Sequence, residues 1–556
     1  MSIFGRRLAE RQPDRGARRW LYVPYDQLSD RLGPLAREEP SSLGIALIEN
    51  RWKAARRPYH KQKLALVLAN QRHFALEQAA RGVAVRYAVA DGPYRDALAE
   101  LIAELGPLRL MEPAERELRA EIEPLRASGG LEVIDHEGWL TSSQQFEASR
   151  RRGPPWRLDA FYRRVRRDSG ILMEGGRPRG GKYSLDAENR RPWRGMPPAP
   201  TPPRFPVDPI KEEVGGLIRD RFSRHPGTLD LAALPATAQD AEALWRWAKA
   251  NCLRDFGPYE DAMSSRSAGL FHTRISALLN LHRLLPAQVL DEALEVDAPL
   301  NSVEGFVRQI LGWREFVRHV HRATDGFRDL PTGAPPIEHR PGDGGYDGWS
   351  GRRWSAGSAP STVDGGAAPS ELDAQEPLPP TFWGRPSGLQ CLDGVVSDVW
   401  TSGYSHHITR LMVLANIATL LDVRPRELAD WFWVAYTDAY DWVVEPNVLG
   451  MGSFALGELM TTKPYVSGAA YINRMSDYCA ACPFDPKRDC PLTALYWSFL
   501  ARHETKLADN PRLSLPLASL GRRSAELRRS DMAVHDWVRT TLAAGGQLRP
   551  DELPGG

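Results

Sequence analysis

Three of the chain's five cysteines stand in "YCAACPFDPKRDCPLTALYW", residues 478–497. Cys479 and Cys482 form a CxxC pair, and Cys490 follows after seven intervening residues. A tetrahedral zinc site or a four-iron cluster needs a fourth thiolate. Cys391, in "PSGLQCLDG", and Cys252, in "KANCLRD", are the two candidates. Cys391 falls at the expected start of a helix, where the dipole favours a thiolate. Cys252 falls on an amphipathic helix, where a small apolar residue packs well. Zinc usually takes two CxxC pairs, whereas one pair with two single cysteines suits a [4Fe–4S] cluster. On spacing alone both stay open, as do unliganded core thiols. Tyr478, Phe484, Tyr496, Trp497 and Phe499 would keep such a site dry, and would equally pack a core.

A second group is "SHHITRLM", which sets His406 and His407 beside Arg410 on an expected helix. An imidazole there can move protons near neutral pH, although a histidine on a helix more often serves packing or surface. A third is the basic-aromatic run at 150–168, with Arg150, Arg151, Arg152, Arg157, Arg163, Arg164, Arg166 and Arg167 among Trp156 and Tyr162. It reads either as a nucleic-acid backbone contact or as a solvated helix face.

The elements that must position these groups follow from pattern. With 556 residues, two or three domains are expected. Residues 1–19 are basic and read as a flexible tail. Residues 20–140 alternate apolar strands ("WLYVPY", "GIALIEN", "VAVRYAVA", "PLRLMEP", "LEVIDHE") with amphipathic helices. That alternation implies an α/β, Rossmann-like domain with a parallel sheet. No dinucleotide or P-loop fingerprint accompanies it. Residues 141–234 are a Gly- and Pro-rich connector. Residues 235–525 are helical, broken at 329–380 by a Gly/Pro/Ser-rich stretch that reads as a disordered insertion. Residues 526–556 read as a C-terminal tail. A net charge of +2 confines any basic surface to a patch. Seventeen tryptophans exceed what one core needs and suit stacking or electron relay. With no leader or apolar span and few cysteines, the expectation is a monomer in a reducing cytoplasm, away from membrane.

Several long motifs in one order resemble a known family: "DQLS", "YHKQKLALVLANQRHFA", "GGKYSLDAENR", "GFVRQILGWREF", "SHHITRLM", "YTDAYDWVVEPNVLGM" and "TKPYVSGAAYINRMSDYC". They are similar to the iron–sulfur bacterial cryptochromes and photolyases, the prokaryotic (6-4) photolyases, from about residue 20 to about 525. The resemblance implies an α/β antenna domain, a connector, and an all-α domain holding FAD and a [4Fe–4S] cluster. It implies Cys391, Cys479, Cys482 and Cys490 as cluster ligands. It places His407, Tyr465, Asp186 and Arg190 at a DNA lesion, with Leu411 and Met451 lining its pocket. It assigns Thr273, Ser276, His272, Gln309, Trp313, Arg314, Arg410 and Asp438 to FAD. Trp431 and Trp383 match an electron relay to the flavin. The partner implied is UV-damaged DNA, and the activity is blue-light repair of a (6-4) photoproduct.

Three departures stand out. Val444 occupies a position near the flavin where the family carries glutamate, and Glu445 follows one residue later. On a helix that displacement would turn Glu445 away. Phe432 stands where a relay tyrosine is expected, leaving Trp433 as a substitute. At the antenna site Glu49 is kept, but Ile48 and Lys53 replace an expected cysteine and carboxylate, which weakens the expectation of a bound 6,7-dimethyl-8-ribityllumazine. A cryptochrome-type photoreceptor without repair, and a flavin-free iron–sulfur nucleic-acid module, are the alternatives.

Overall fold

The computed structural model describes residues 2–13, 18–150, 154–330, 339–341 and 364–554. The N-terminal third is built on a parallel sheet. Strands β1 (Arg19–Tyr22), β2 (Leu43–Asn50), β3 (Ala84–Ala90), β4 (Leu108–Met111) and β5 (Leu131–Ile134) lie in the order β3-β2-β1-β4-β5. All five expected strands are present. Their side chains alternate between two cores. Leu21, Ile45, Leu47 and Val85 face one side with Phe74; Tyr22, Ala46, Ile48 and Ala84 face the other with Tyr94 and Leu98.

Four helices frame this sheet. Helix α1 (Ile3–Arg11) is capped by the Ser2 hydroxyl and buries Phe4 and Leu8, one turn apart, in the first core. Residues 3–11 are therefore a packed helix rather than the flexible tail expected for 1–19. Helix α2 (Lys61–Ala80) is buried on nearly all sides, because sheet and helical domain both lean on it. Its Asn70 amide donates to the Pro235 carbonyl and its Lys63 ammonium to the carbonyls of Trp433 and Ala439. Helices α3 (Tyr94–Leu105) and α4 (Arg116–Ala127) cover the other face.

The connector is ordered through most of its length. Helix α5 (Leu158–Ser169) buries Phe161, Tyr162, Val165 and Arg166 and stops at Gly170 in the left-handed conformation. The Leu185 amide then donates to buried Glu304.

The helical domain carries the rest: α6 (Gln390–Ser402), α7 (Pro425–Ala435), α8 (Pro491–Arg502) and α9 (Ala525–Ala543) among shorter helices. Two expectations change here. Much of the 329–380 stretch falls outside the described residues, but its end is packed: Ala367, Leu372 and Leu378 are buried, and the Leu378 amide donates to Glu427. Residues 526–556 are not a tail. Helix α9 buries Val534, Val538 and Leu542, and the Leu548 amide donates to the Ser387 carbonyl. That contact requires Gly388 (φ 86°), since a Cβ there would strike the Leu548 carbonyl. Among the described residues no helix is long and apolar enough to cross a membrane.

Candidate active site

Three π-helical turns mark one region of the helical domain: Arg308–Arg314, Arg410–Ala415 and Pro446–Gly452. Such turns bulge a helix by one residue and redirect its side chains, and they recur at functional sites. They carry Gln309, Trp313, Arg314, Arg410, Leu411 and Met451, all site candidates from the sequence. No periodicity rule reveals a π-turn, so this convergence is tertiary information.

At the centre, Arg410 grips Asp438 through two parallel hydrogen bonds, each 3.0 Å. The Arg410 guanidinium also lies 3.9 Å from the Tyr436 ring centre and donates to the Ser405 carbonyl. Ser276 donates to Asp438 at 2.7 Å, and Asn280 to its backbone carbonyl. Burial alone would raise the Asp438 carboxyl; Arg410 and Ser276 overcome that and hold it below the usual range. The loop supplying Ser276 is strained, with Leu270 and Arg274 at positive φ (41° and 58°). Thr273 is buried beside them.

Histidines line one wall. The His272 and His406 rings stack at 4.5 Å, and His407 stands 5.2 Å from His272. His406 is buried, yet neither ring nitrogen has a partner among the described residues. Desolvation pushes all three imidazoles below their ordinary pKa, and for His407 the Arg308 and Arg410 charges add to it. His407 is the open one, with 40 % of its side chain exposed, and its Nε2 lies 4.0 Å from Asp261.

Asp261 was not singled out from the sequence, where "YEDAM" reads as an ordinary polar turn. Burial, with Glu260 and Asp186 nearby, pushes its pKa up to about 7. Arg190 pairs with Asp186 and reaches Asp261 at 3.7 Å, and Arg308 reaches Asp186 at 3.5 Å. The Tyr465 and Tyr471 phenols feel the same charges. The expected set Asp186, Arg190, His407 and Tyr465 is therefore brought together, with Asp261, Arg308 and Tyr471 as unforeseen members. Gln309 and Arg308 both hold Glu260, at 2.8 and 3.2 Å. Arg314 lies against Trp139 and Trp442, and Trp313 packs on Phe316.

Glu445 is turned away from this wall. It ends helix Asp441–Glu445 and pairs with His321 and Arg426 instead. Trp433 is also turned away: the Arg57 guanidinium covers it, and it lines a separate cavity against the α/β domain. It therefore does not take the place of the missing relay tyrosine. That cavity includes Lys53, bonded to Glu115, and four tyrosines, Tyr25, Tyr59, Tyr94 and Tyr440. Glu49 does not reach it, being fully buried against Arg72 and Tyr87.

The cysteines form the second centre. Cys391 lies buried in the first turn of α6, and the turn Tyr478–Ala481 packs on that helix. Burial and the nearby Cys490, Cys482 and Cys479 all push the Cys391 thiol up, so the four cysteines are neighbours. Cys252 stands apart, its thiol 3.8 Å from the His272 carbonyl. Tyr478, Phe484 and Phe499 are buried.

The basic run proves largely self-paired. Arg163 and Arg164 bond Asp159 and Asp168 four residues away, and Arg150 pairs with Glu147. Arg166 is buried and donates to three backbone carbonyls. Arg157 donates to the Trp156 and Glu458 carbonyls and lies near enough to Tyr465 to feel its charge. Arg151 and Arg152 lie outside the described residues.

Comparison with known proteins places this arrangement. Residues 21–233 match the family described as deoxyribodipyrimidine photo-lyase-related protein. A (6-4) photolyase of Agrobacterium fabrum is 34% identical over 526 residues, covering 90% of this chain and 95% of that protein. An uncharacterized mimivirus protein is 39% identical over 66 residues, 12% of this chain and 54% of its own length. Among solved structures, a bacterial class III photolyase from Agrobacterium tumefaciens superposes with a TM-score of 0.52 at 16% identity, over 95% of this chain and 99% of that one. A likeness that runs through both domains at one-third identity leaves one assignment: the chain belongs to the deoxyribodipyrimidine photolyase-related family.

Proposed function

We propose that this protein is a light-driven DNA repair lyase acting on pyrimidine–pyrimidone (6-4) photoproducts. The observation that carries the reading is the meeting of His407, Asp261, Asp186, Arg190 and Tyr465 in one charged group. The near-full-length similarity to a (6-4) photolyase supports the same reading.

The cavity's own residues fit FAD. The unpartnered ring nitrogens of buried His406 ask for a polar ligand. Thr273, Ser276, His272, Gln309, Trp313, Arg314, Arg410 and Asp438 would hold it. Reduced FAD supplies the photoexcited electron. The Arg410–Asp438 pair sets a fixed charge beside it without an orphan ion.

Repair must return an oxygen substituent between two pyrimidines, so a proton must be held at the lesion. Desolvation, with the Arg308 and Arg410 charges, holds the His407 imidazole below its ordinary pKa and so favours its neutral form. Asp261, with its pKa near 7, holds the proton beside it. Asp186 and Arg190 fix that corner, while Leu411, Met451 and Tyr465 offer the apolar and aromatic walls that suit flipped bases. Arg157 and Arg190 are cations placed for the phosphates of UV-damaged DNA.

The four converging thiols support a [4Fe–4S] cluster held by Cys391, Cys479, Cys482 and Cys490. One CxxC pair with two single cysteines suits a four-iron cluster, each iron taking one thiolate. The Trp433 cavity suits a planar antenna chromophore such as 6,7-dimethyl-8-ribityllumazine, with Lys53 in reach of its polar edge.

The test is restoration of intact pyrimidines in lesion-bearing DNA under blue light by the reduced protein. No restoration by wild type would overturn repair, and His407→Ala should abolish any that is seen.

A further inference from the structure

We propose that Trp400 is the middle member of an electron relay, Trp431–Trp400–Trp383, through which this chain reduces its flavin from the surface. The inference rests on the flavin reading above. It supplies what Phe432 and Trp433 cannot: a phenylalanine ring is too hard to oxidise, and Trp433 faces the other cavity.

The geometry is continuous. Trp431 is fully buried and meets Trp400 edge to face at 5.9 Å. Trp400 then stacks on Trp383 at 5.4 Å with the planes 19° apart. Trp400 and Trp383 are only partly buried, so the row runs from the interior to solvent. On the inner side, Trp431 lies 6.0 Å from Tyr436, the ring that Arg410 covers. One backbone oxygen fixes the turn in the row: the indole N–H groups of Trp400 and Trp431 both donate to the Phe382 carbonyl, each at 2.9 Å. The His60 ring stacks on the far face of this group, 5.7 Å from Trp400 and 7° from parallel. Desolvation keeps that imidazole uncharged, so no cation opposes a positive charge on Trp400.

Each step moves one electron. Trp431 gives one to the photoexcited flavin, Trp400 refills Trp431, and Trp383 refills Trp400. The carbonyl of Phe382 accepts hydrogen bonds but takes no proton, so the inner indoles stay protonated. The partly exposed Trp383 can release its indole proton to water, which holds the charge at the surface. A dithiol in solution refills Trp383 and restores that proton, two such events closing one disulfide.

The experiment is flash absorption on the full-length flavin-loaded protein, with steady photoreduction in the presence of a dithiol. Trp400→Phe and Trp383→Phe should both lose the long-lived tryptophan radical signal and the photoreduction, at unchanged bound flavin. Trp400→Tyr, which keeps an oxidisable ring, should recover part of both. A Trp400→Phe protein with wild-type signals overturns the relay. So does a Trp400→Tyr protein as inactive as Trp400→Phe, because that pattern marks a packing role. A wild type that binds no flavin would overturn the functional reading together with this one.

Discussion

Glu445 lies 2.8 Å from His321 through one carboxylate oxygen and 2.6 Å from Arg426 through the other. All three side chains are buried. The glutamate that the sequence displaced by one position is therefore spent on an internal ion network, and the position before it is held by buried Val444.

Removing that carboxylate leaves buried His321 without this partner and Arg426 with Asp430 alone. Glu445→Ala should cost about 1–3 kcal/mol, as an unmet buried hydrogen-bonding group does, and lower the urea midpoint accordingly. Bound flavin per folded protein should not change. Val444→Glu is the complementary variant: it should alter the course of flavin photoreduction, followed by absorption, with a much smaller loss of stability.

The rate of repair should depend on a proton held near neutrality. Asp261 titrates near pH 7 and is the donor form below it, so repair should fall as pH rises from 7 toward 9. Asp261→Asn removes the titration and should flatten the profile while lowering the rate. A repair profile unchanged by this variant would separate Asp261 from the chemistry.

Stability should fall steeply in mild acid. His60 and His225 are held near pKa 4 and His272, His282 and His319 near 3, in each case first by desolvation. These are lower than the unfolded value, so the unfolded chain binds more protons between about pH 6.5 and 3. Folding is favoured above that window and weakened through it, by up to about 1.4 kcal/mol per pH unit for each histidine. Urea midpoints should hold nearly level from pH 8 to about pH 7 and decline from about pH 6.5 to pH 5.

The cysteines divide into two kinds. Cys391→Ser should lose most of the iron and inorganic sulfide and destabilise the contact between α6 and the 478–490 turn. Cys252→Ser should keep both at wild-type levels, since its thiol stands against the His272 carbonyl, away from the other four. Metal and sulfide analysis of the two purified variants decides this.

Much of the molecule was legible in order along the chain. The β1–β5 alternation is local: each strand's period-two pattern and each helix's apolar face can be read within a dozen residues. The division into α/β and helical parts follows from the same signals. The motif resemblance named candidate lesion and cofactor residues one by one, and the structure gathers Arg410 with Asp438 and Ser276, and Asp186 with Arg190 and, through Asp261, with His407.

What composition misread was order at the ends. The basic N-terminus hid Phe4 and Leu8, whose partner Phe74 is supplied from seventy residues away. The C-terminal helix owes its place to α8 and to Ser387, neither visible in its own pattern.

The sequence by itself determined the family, the element types and the residues able to do chemistry, because these depend on identity and short-range spacing. Only the tertiary structure decided which of them act together. The π-turns, the Asp261 proton site, the fate of Glu445 and the bridging of Trp431 to Trp383 by Trp400 depend on packing between distant segments. Burial there sets a carboxyl's pKa, and a few ångströms decide whether two rings are neighbours; neither quantity is carried by a linear order of residues.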